Sequence, residues 1–164
     1  MRQNAIKSPS LLPEPPLPRS LVLAAALTLV ALPATAQRTD YMNGNYQHGV
    51  ASGAVPQTAS DMVACATHWA VWSQSASTDW DAAFIADLDP DLRPAESQLA
   101  AGYWATMASD RYEAETGDTA RFEQEIGIAT PQAVQSYSNL MTSPDARVRY
   151  HMFRILGACH LAIE

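Results

Sequence analysis

The chain of 164 residues has few positive charges, and this scarcity limits the partners that it can bind. Its single lysine, Lys7, lies near the N-terminus, and 10 basic residues stand against 17 acidic ones, for a formal net charge of −7. Beyond residue 36, seven arginines stand against sixteen acidic residues, so the net charge falls to about −9. A nucleic-acid backbone or an anionic lipid surface would be repelled by this field. We therefore expect no nucleic-acid partner.

The sequence also lacks a hydrophobic run long enough to span a membrane. Its longest run covers residues 21–32 and is interrupted only by Thr28. A spanning helix needs about 20 consecutive apolar residues. We therefore expect no stable membrane span in the processed protein.

The residues around this run have the three-part pattern of a secretory signal peptide. A segment of small residues, Ala34-Thr35-Ala36, follows the run, and basic residues precede it at Arg2, Lys7 and Arg19. Cleavage before Gln37 would remove residues 1–36 and place the protein in the periplasm or outside the cell. An uncleaved anchor is the alternative interpretation.

The remaining 128 residues are enough for one domain with a modest core. Residues 37–57 are rich in Asn, Gly, Gln and Ser and keep no sustained period, which predicts a flexible arm. Residues 58–164 then form a single helical domain.

Signals for β-strands are missing from the rest of the chain. No segment alternates strictly between apolar and polar residues, and no hairpin dipeptide joins two apolar runs. Apolar residues recur instead at helical spacing, which predicts an all-α fold, a small bundle of about four to six helices. The predicted helices cover residues 60–75, 77–88, 94–116, a short segment after Asp118 that could also continue the preceding helix through a kink, 130–142 and 143–164.

Only two cysteines are present, and each lies on the apolar face of a predicted helix. Cys65 shares its face with Met62, Trp69 and Trp72. Around Cys159, a narrow seam contains Val148, Met152, Ile155, Leu156 and Ile163. Exported cysteines usually oxidise, and two of them allow one intramolecular pairing. We therefore predict a Cys65–Cys159 disulfide that joins the N-terminal and C-terminal helices of the bundle.

A metal site is the main alternative for these residues. Cys65, His68, Cys159 and His160 supply the ligand count of a structural zinc site, although their spacing does not match the usual paired patterns. The pair Cys159-His160 also resembles the end of the c-type haem motif C-x-x-C-H, but the first cysteine position holds Leu156. We therefore expect no cofactor, with metal or haem binding as the alternative function.

An acidic segment between two predicted helices imitates the start of a calcium-binding loop. Asp87, Asp89 and Asp91 alternate as in an EF-hand, but Leu92 replaces the required glycine and Gln98 the bidentate glutamate. The sequence is better explained as an acidic loop that ends a helix at its prolines.

The sequence contains few patterns that indicate catalysis. The Gly-x-Ser-x-Gly motif is absent and no strand is predicted to carry one, so we assign no catalytic residue and lean against an enzyme. The favoured interpretation is an exported, non-enzymatic helical binding protein for an unknown protein or small-molecule partner. Tyr103, Trp104 and Tyr150 are the candidate partner face, since Tyr and Trp are enriched at interfaces and an acidic surround favours a basic partner. In the competing interpretation these aromatics fill the core.

Overall fold

The computed structural model describes residues 34–118 and 120–161, and all regular secondary structure within them is helical. The elements are α1 (Ala34–Val50), α2 (Ala59–Thr78), α3 (Ala82–Ala86), a 3-10 turn (Pro90–Leu92), α4 (Pro94–Thr116), α5 (Ala120–Met141), α6 (Ala146–Arg149) and α7 (His151–Ala158). Six of the α-helices have five residues or more, so the predicted all-α bundle is confirmed. Among the described helices, none is both long and apolar enough to cross a membrane. Residues 1–33 of the predicted signal peptide lie outside the described residues.

The centre of the fold is α2, which packs against α4, α5 and α7. It begins with a capping box: the Thr58 side chain accepts the Asp61 backbone N–H, and the Asp61 carboxylate accepts the Thr58 backbone N–H. Trp69 and Trp72 are almost fully buried on its inner face. The Trp72 indole donates to the Leu92 carbonyl at 2.7 Å, which ties the 3-10 turn to the core.

The expectation of a flexible arm over residues 37–57 is wrong for most of its length, because residues 34–50 form α1. Thr39, Met42, Tyr46 and Gly49 recur at spacings of three and four residues and are buried against the rest of the fold. Two members of this face are small or polar, so the sequence gives a weak apolar period. The predicted cleavage point before Gln37 lies in the first turn of α1.

Two glycines allow the backbones of α1 and α7 to touch. A Cβ built on Gly49 would lie 2.2 Å from the Arg154 carbonyl oxygen, and one built on Gly157 would lie 2.0 Å from the Tyr46 carbonyl oxygen. No side chain larger than hydrogen fits at either position without moving a backbone. The contact therefore depends on both glycines.

The predicted Cys65–Cys159 disulfide is confirmed, with Cα atoms 5.5 Å apart and a sequence separation of 94. It joins α2 to the end of α7, so its first partner is the second described helix and not the N-terminal one. The indoles of Trp69 and Trp104 both donate to the Cys159 carbonyl, at 2.9 and 2.7 Å. Cys159 is therefore held by one covalent bond and two buried hydrogen bonds.

The predicted C-terminal helix over residues 143–164 is shorter than expected and interrupted. Helix α6 begins only at Ala146, with the Asp145 side chain accepting the Arg147 backbone N–H as its cap, and the helical path breaks at Tyr150 before α7. Cys159 is the C-cap of α7, so it lies after the last helical turn and not inside a continuing helix. Tyr150, which was predicted to lie at the surface as part of the partner face, is buried. The predicted seam residue Ile163 lies outside the described residues.

The ends of α4 agree with the positions of proline and glycine in the sequence, whereas a proline within α5 does not end that helix. The predicted bounds of α4 are confirmed, with Pro94 in the first turn and Gly117 in the left-handed conformation (φ 68°) after the last turn. The predicted start of a new helix at Thr130-Pro131 is wrong, since α5 continues through Pro131. Apolar residues on both sides of this proline pack against the same core, which offsets the lost backbone hydrogen bond.

Candidate functional site

The two histidines of the alternative zinc set bond to the backbone of their own segments. The Nδ1 atom of His68 lies 2.7 Å from the Ala64 carbonyl, and that of His160 lies 3.0 Å from the Gly157 carbonyl. The sulfurs of Cys65 and Cys159 are bonded to each other, so neither offers the thiolate that zinc or a covalently attached haem requires. Within the described residues, no three His, Cys, Asp or Glu side chains are grouped to hold a metal.

The acidic loop resembling an EF-hand is bound by α1. Tyr46 donates its hydroxyl to Asp91 at 2.6 Å, and Gln47 donates to Asp89 at the same distance. Burial and the neighbouring carboxylate raise the pKa of the Tyr46 phenol, which keeps it protonated as a donor. Asn43 bonds the loop backbone at Asp87 and Asp89. These carboxylates therefore attach the loop to α1.

Two of the three aromatics predicted for the partner face are core residues. Trp104 is 6% exposed and donates to the Cys159 carbonyl, while Tyr150 is 4% exposed and stacks on Tyr41 at 5.5 Å. Their large apolar area is buried inside, so the prediction is wrong for both. Tyr103 alone remains accessible, at 47%.

Tyr103 belongs to a row of exposed apolar side chains on α4, which we call the α4 stripe: Leu99, Tyr103 and Met107. These residues are 64%, 47% and 37% exposed and recur every four residues along one face. The opposite face of α4 buries Ala100, Trp104 and Ala108. The sequence contains both rows, and the narrow inner face of α4 buries only one of them. Two apolar rows on a helix with room to bury only one predict that the other row is exposed, and this pattern could have revealed the α4 stripe.

Carboxylates stand at both ends of the α4 stripe. At 100° per residue, Glu96 and Asp110 fall within the same sector of about 80° as the three apolar side chains. Both carboxylates are exposed, and within the described residues neither is in an ion pair. The face therefore has an apolar centre and negatively charged ends.

Beside Tyr103 the surface opens into an apolar cavity of about 280 Å³. The α1–α2 loop forms one wall with Val55 and Pro56, and the rest of the lining includes Tyr103, Trp104 and Leu161. Val55 is 58% exposed at the rim. A smaller cavity of about 60 Å³ lies beside Leu99 and contains the Asp91 and Glu96 side chains in its wall. Both flank the α4 stripe.

Comparison with family models, with curated proteins and with solved structures finds no match for this chain.

Proposed function

We propose that this chain is an exported, non-enzymatic binding protein whose α4 stripe receives a basic, amphipathic segment of a partner protein. The observation that carries the proposal is the exposure of Leu99, Tyr103 and Met107 on one helical face. A single exposed apolar side chain is ordinary, but a contiguous row bounded by polar residues is typical of an interaction site.

The apolar spacing supports a helical or extended segment as the bound element. A row at every fourth residue presents a straight ridge, against which an amphipathic helix can lay its own apolar face. The cavity of about 280 Å³ beside Tyr103 offers a place for one apolar anchor side chain of the partner.

Charge supports a basic partner. Glu96 and Asp110 end the stripe, and Asp91 and Glu96 line the smaller cavity beside Leu99. The formal net charge of −7 adds a long-range attraction for cations. A lysine or arginine of the partner would therefore meet a carboxylate at each end of the row.

The disulfide and the absence of a spanning helix among the described residues are compatible with export. Structural disulfides persist in oxidising compartments and are rare in the cytosol of most organisms. The signal sequence pattern at residues 1–36 supports the same interpretation. We propose the periplasm or the extracellular space as its location.

Three synthetic peptides of equal length test the proposal. One is amphipathic and basic, one has the same apolar face with glutamates for lysines, and one is a scrambled form of the first. Fluorescence anisotropy should show saturable binding of the amphipathic basic peptide, at least about tenfold tighter than the other two, because only this peptide matches both the row and its charged ends.

A matched pair of variants locates the binding. Leu99→Ser with Tyr103→Ser should remove peptide binding, whereas Ile128→Ser with Val134→Ser changes two equally exposed apolar residues on α5 and should leave it intact. Circular dichroism verifies that each variant remains folded. Equal binding of the acidic peptide, or equal loss in both variants, would refute the proposed site.

A further inference from the structure

A second surface, formed by α1, α6 and α7, carries positive charge in an otherwise acidic protein. It contains a cavity of about 600 Å³, which we call the arginine cavity, lined by Tyr41, Asn45, Asp145, Arg147, His151 and Arg154. This volume is within the range of about 300–1,000 Å³ that is typical of small-molecule sites. None of its lining residues belongs to the α4 stripe.

Several arginines in the described part of the chain have a partner within the protein, such as Arg93 and Arg149 on backbone carbonyls, but the two arginines of the cavity have none. Arg111, by contrast, pairs with Glu115 at 2.5 Å. Within the described residues, the guanidinium groups of Arg147 and Arg154 are in no ion pair and no side-chain hydrogen bond. Two unpaired guanidinium groups beside one cavity are notable in a protein with 17 acidic residues.

The one carboxylate of the cavity wall, that of Asp145, already accepts a backbone hydrogen bond. An oxygen of Asp145 accepts the Arg147 backbone N–H at 2.8 Å and so caps α6. His151 is exposed and adds an imidazole to the same wall. The cavity therefore presents two guanidinium forks and one further nitrogen donor against a single acidic group.

From this arrangement we infer that the arginine cavity binds a ligand bearing a phosphate group. A guanidinium offers two parallel N–H donors that match the oxygens of a phosphate or a carboxylate. A carboxylate carries one negative charge and is satisfied by one fork, whereas a phosphate monoester carries about two at neutral pH and matches two forks. The exposed ring of Tyr41 gives the non-phosphate part of the ligand an apolar wall.

A free small molecule fits this surface better than a lipid headgroup. The net charge of −7 repels an anionic membrane over its whole area, whereas a small anion meets mainly the local positive potential. The same phosphate chemistry occurs in both sources, so the experiment includes one arm for each.

The probes are inorganic phosphate and acetate, titrated at constant ionic strength into the ¹⁵N-labelled, oxidised protein. The Nε–Hε signals of Arg147 and Arg154 should shift saturably with phosphate and little with acetate. In a second arm, sedimentation with phosphatidylglycerol vesicles reports a lipid source. Saturation by phosphate without vesicle binding assigns a free ligand, and vesicle binding that requires Arg147 and Arg154 assigns a lipid headgroup.

Arginine variants distinguish phosphate binding in the arginine cavity from non-specific attraction to any surface arginine. Arg147→Gln with Arg154→Gln should weaken phosphate binding by about tenfold or more, because each fork makes charge-assisted bonds. Arg121→Gln removes an exposed arginine outside the cavity wall and should change the affinity by less than about twofold. The proposal fails if acetate binds as tightly as phosphate, if neither signal saturates, or if Arg121→Gln weakens binding as much as the double variant.

Discussion

The contact between α1 and α7 and the contact between α2 and α5 hold the fold together in opposite ways. In the first, two glycines bring backbone against backbone, and α7 buries Met152, Phe153, Leu156 and Gly157 within eight residues. In the second, α5 is about four turns longer than α7, but among its described side chains it buries only Ala133, and it packs mainly through half-buried ones. The first contact depends on the absence of a side chain at Gly49 and Gly157, whereas the second is the sum of many weak side-chain contacts.

This difference teaches which parts of the protein tolerate change. Close-packed backbones leave no space for a new atom, so the α1–α7 contact should be sensitive to single methyl groups. A contact made by half-buried side chains leaves room to adjust, so α5 should tolerate substitutions and open more readily.

The largest expected effect is loss of the disulfide at the end of α7. The double variant Cys65→Ser with Cys159→Ser should lower the free energy of unfolding by about 4 kcal/mol, since the bridge closes a loop of 94 residues in the unfolded chain. Urea denaturation measures this change. His160→Ala, next to the bridge, should change it by less than about 0.5 kcal/mol. Equal losses in both variants would show that the imidazole and the sulfurs act as one unit.

The next effect tests the α1–α7 contact itself. Gly157→Ala places a methyl group 2.0 Å from the Tyr46 carbonyl oxygen, and we expect a loss of about 3 kcal/mol. The control is Gly127→Ala on α5, where the added Cβ meets nothing within 4 Å and helix propensity should instead stabilise by about 0.5–1 kcal/mol. Opposite signs in the two helices are the expected result. A loss below about 1 kcal/mol for Gly157→Ala would contradict the close crossing.

The smallest effect concerns α2, which packs against both α5 and α7. Thr58→Ala removes half of the capping box and should destabilise the fold by about 1 kcal/mol. The Thr58 side chain and the backbone N–H groups of Thr58 and Gln57 hold the pKa of Asp61 below its usual value. The Asp61 contribution is therefore present above the unfolded pKa of about 3.9 and is lost as the pH falls through the lower folded pKa.

The pH dependence gives this last prediction its own measurement. The stability difference between the protein and Asp61→Asn should be constant at neutral pH and shrink as the pH falls below about 4. Guanidinium denaturation at several pH values measures it. A difference that grows on acidification would mean that Asp61 does not act through the cap.

The sequence contained clear information on those elements whose ends or faces have strong chemical signals. The predicted start of α2 at residue 60 lies one residue after the observed one, the apolar period between Pro94 and Gly117 predicted the bounds of α4, and the pairing of two exported cysteines followed from their number. Helix α1 was missed because a backbone contact requires small residues, and a face containing Gly49 and Thr39 has little hydrophobic period.

The candidate sites were predicted less completely for a related reason. Periodicity shows that Leu99, Tyr103 and Met107 share a face, but only the packing of neighbouring helices decides which of two apolar rows is covered. The arginine cavity joins residues from α1 with others about 100 positions later, and no local spacing connects them. The sequence analysis placed Trp104 and Tyr150 on the surface. Their tertiary partners, Cys159 and Tyr41, lie far away in the sequence, so no local spacing indicates these contacts.

The attachment of Cys159 by a disulfide and two indoles means that several native contacts can form only late in synthesis. During synthesis Cys65 leaves the ribosome 94 residues before its partner, which at about 5–20 residues per second is a delay of roughly 5–20 seconds. Until this later segment is made, Trp69 lacks the carbonyl acceptor that it shares with Trp104, and α1 lacks the glycine surface on which it packs. Before the segment around Cys159 is made, Cys65 therefore has no intramolecular partner, and the indole of Trp69 has no native acceptor.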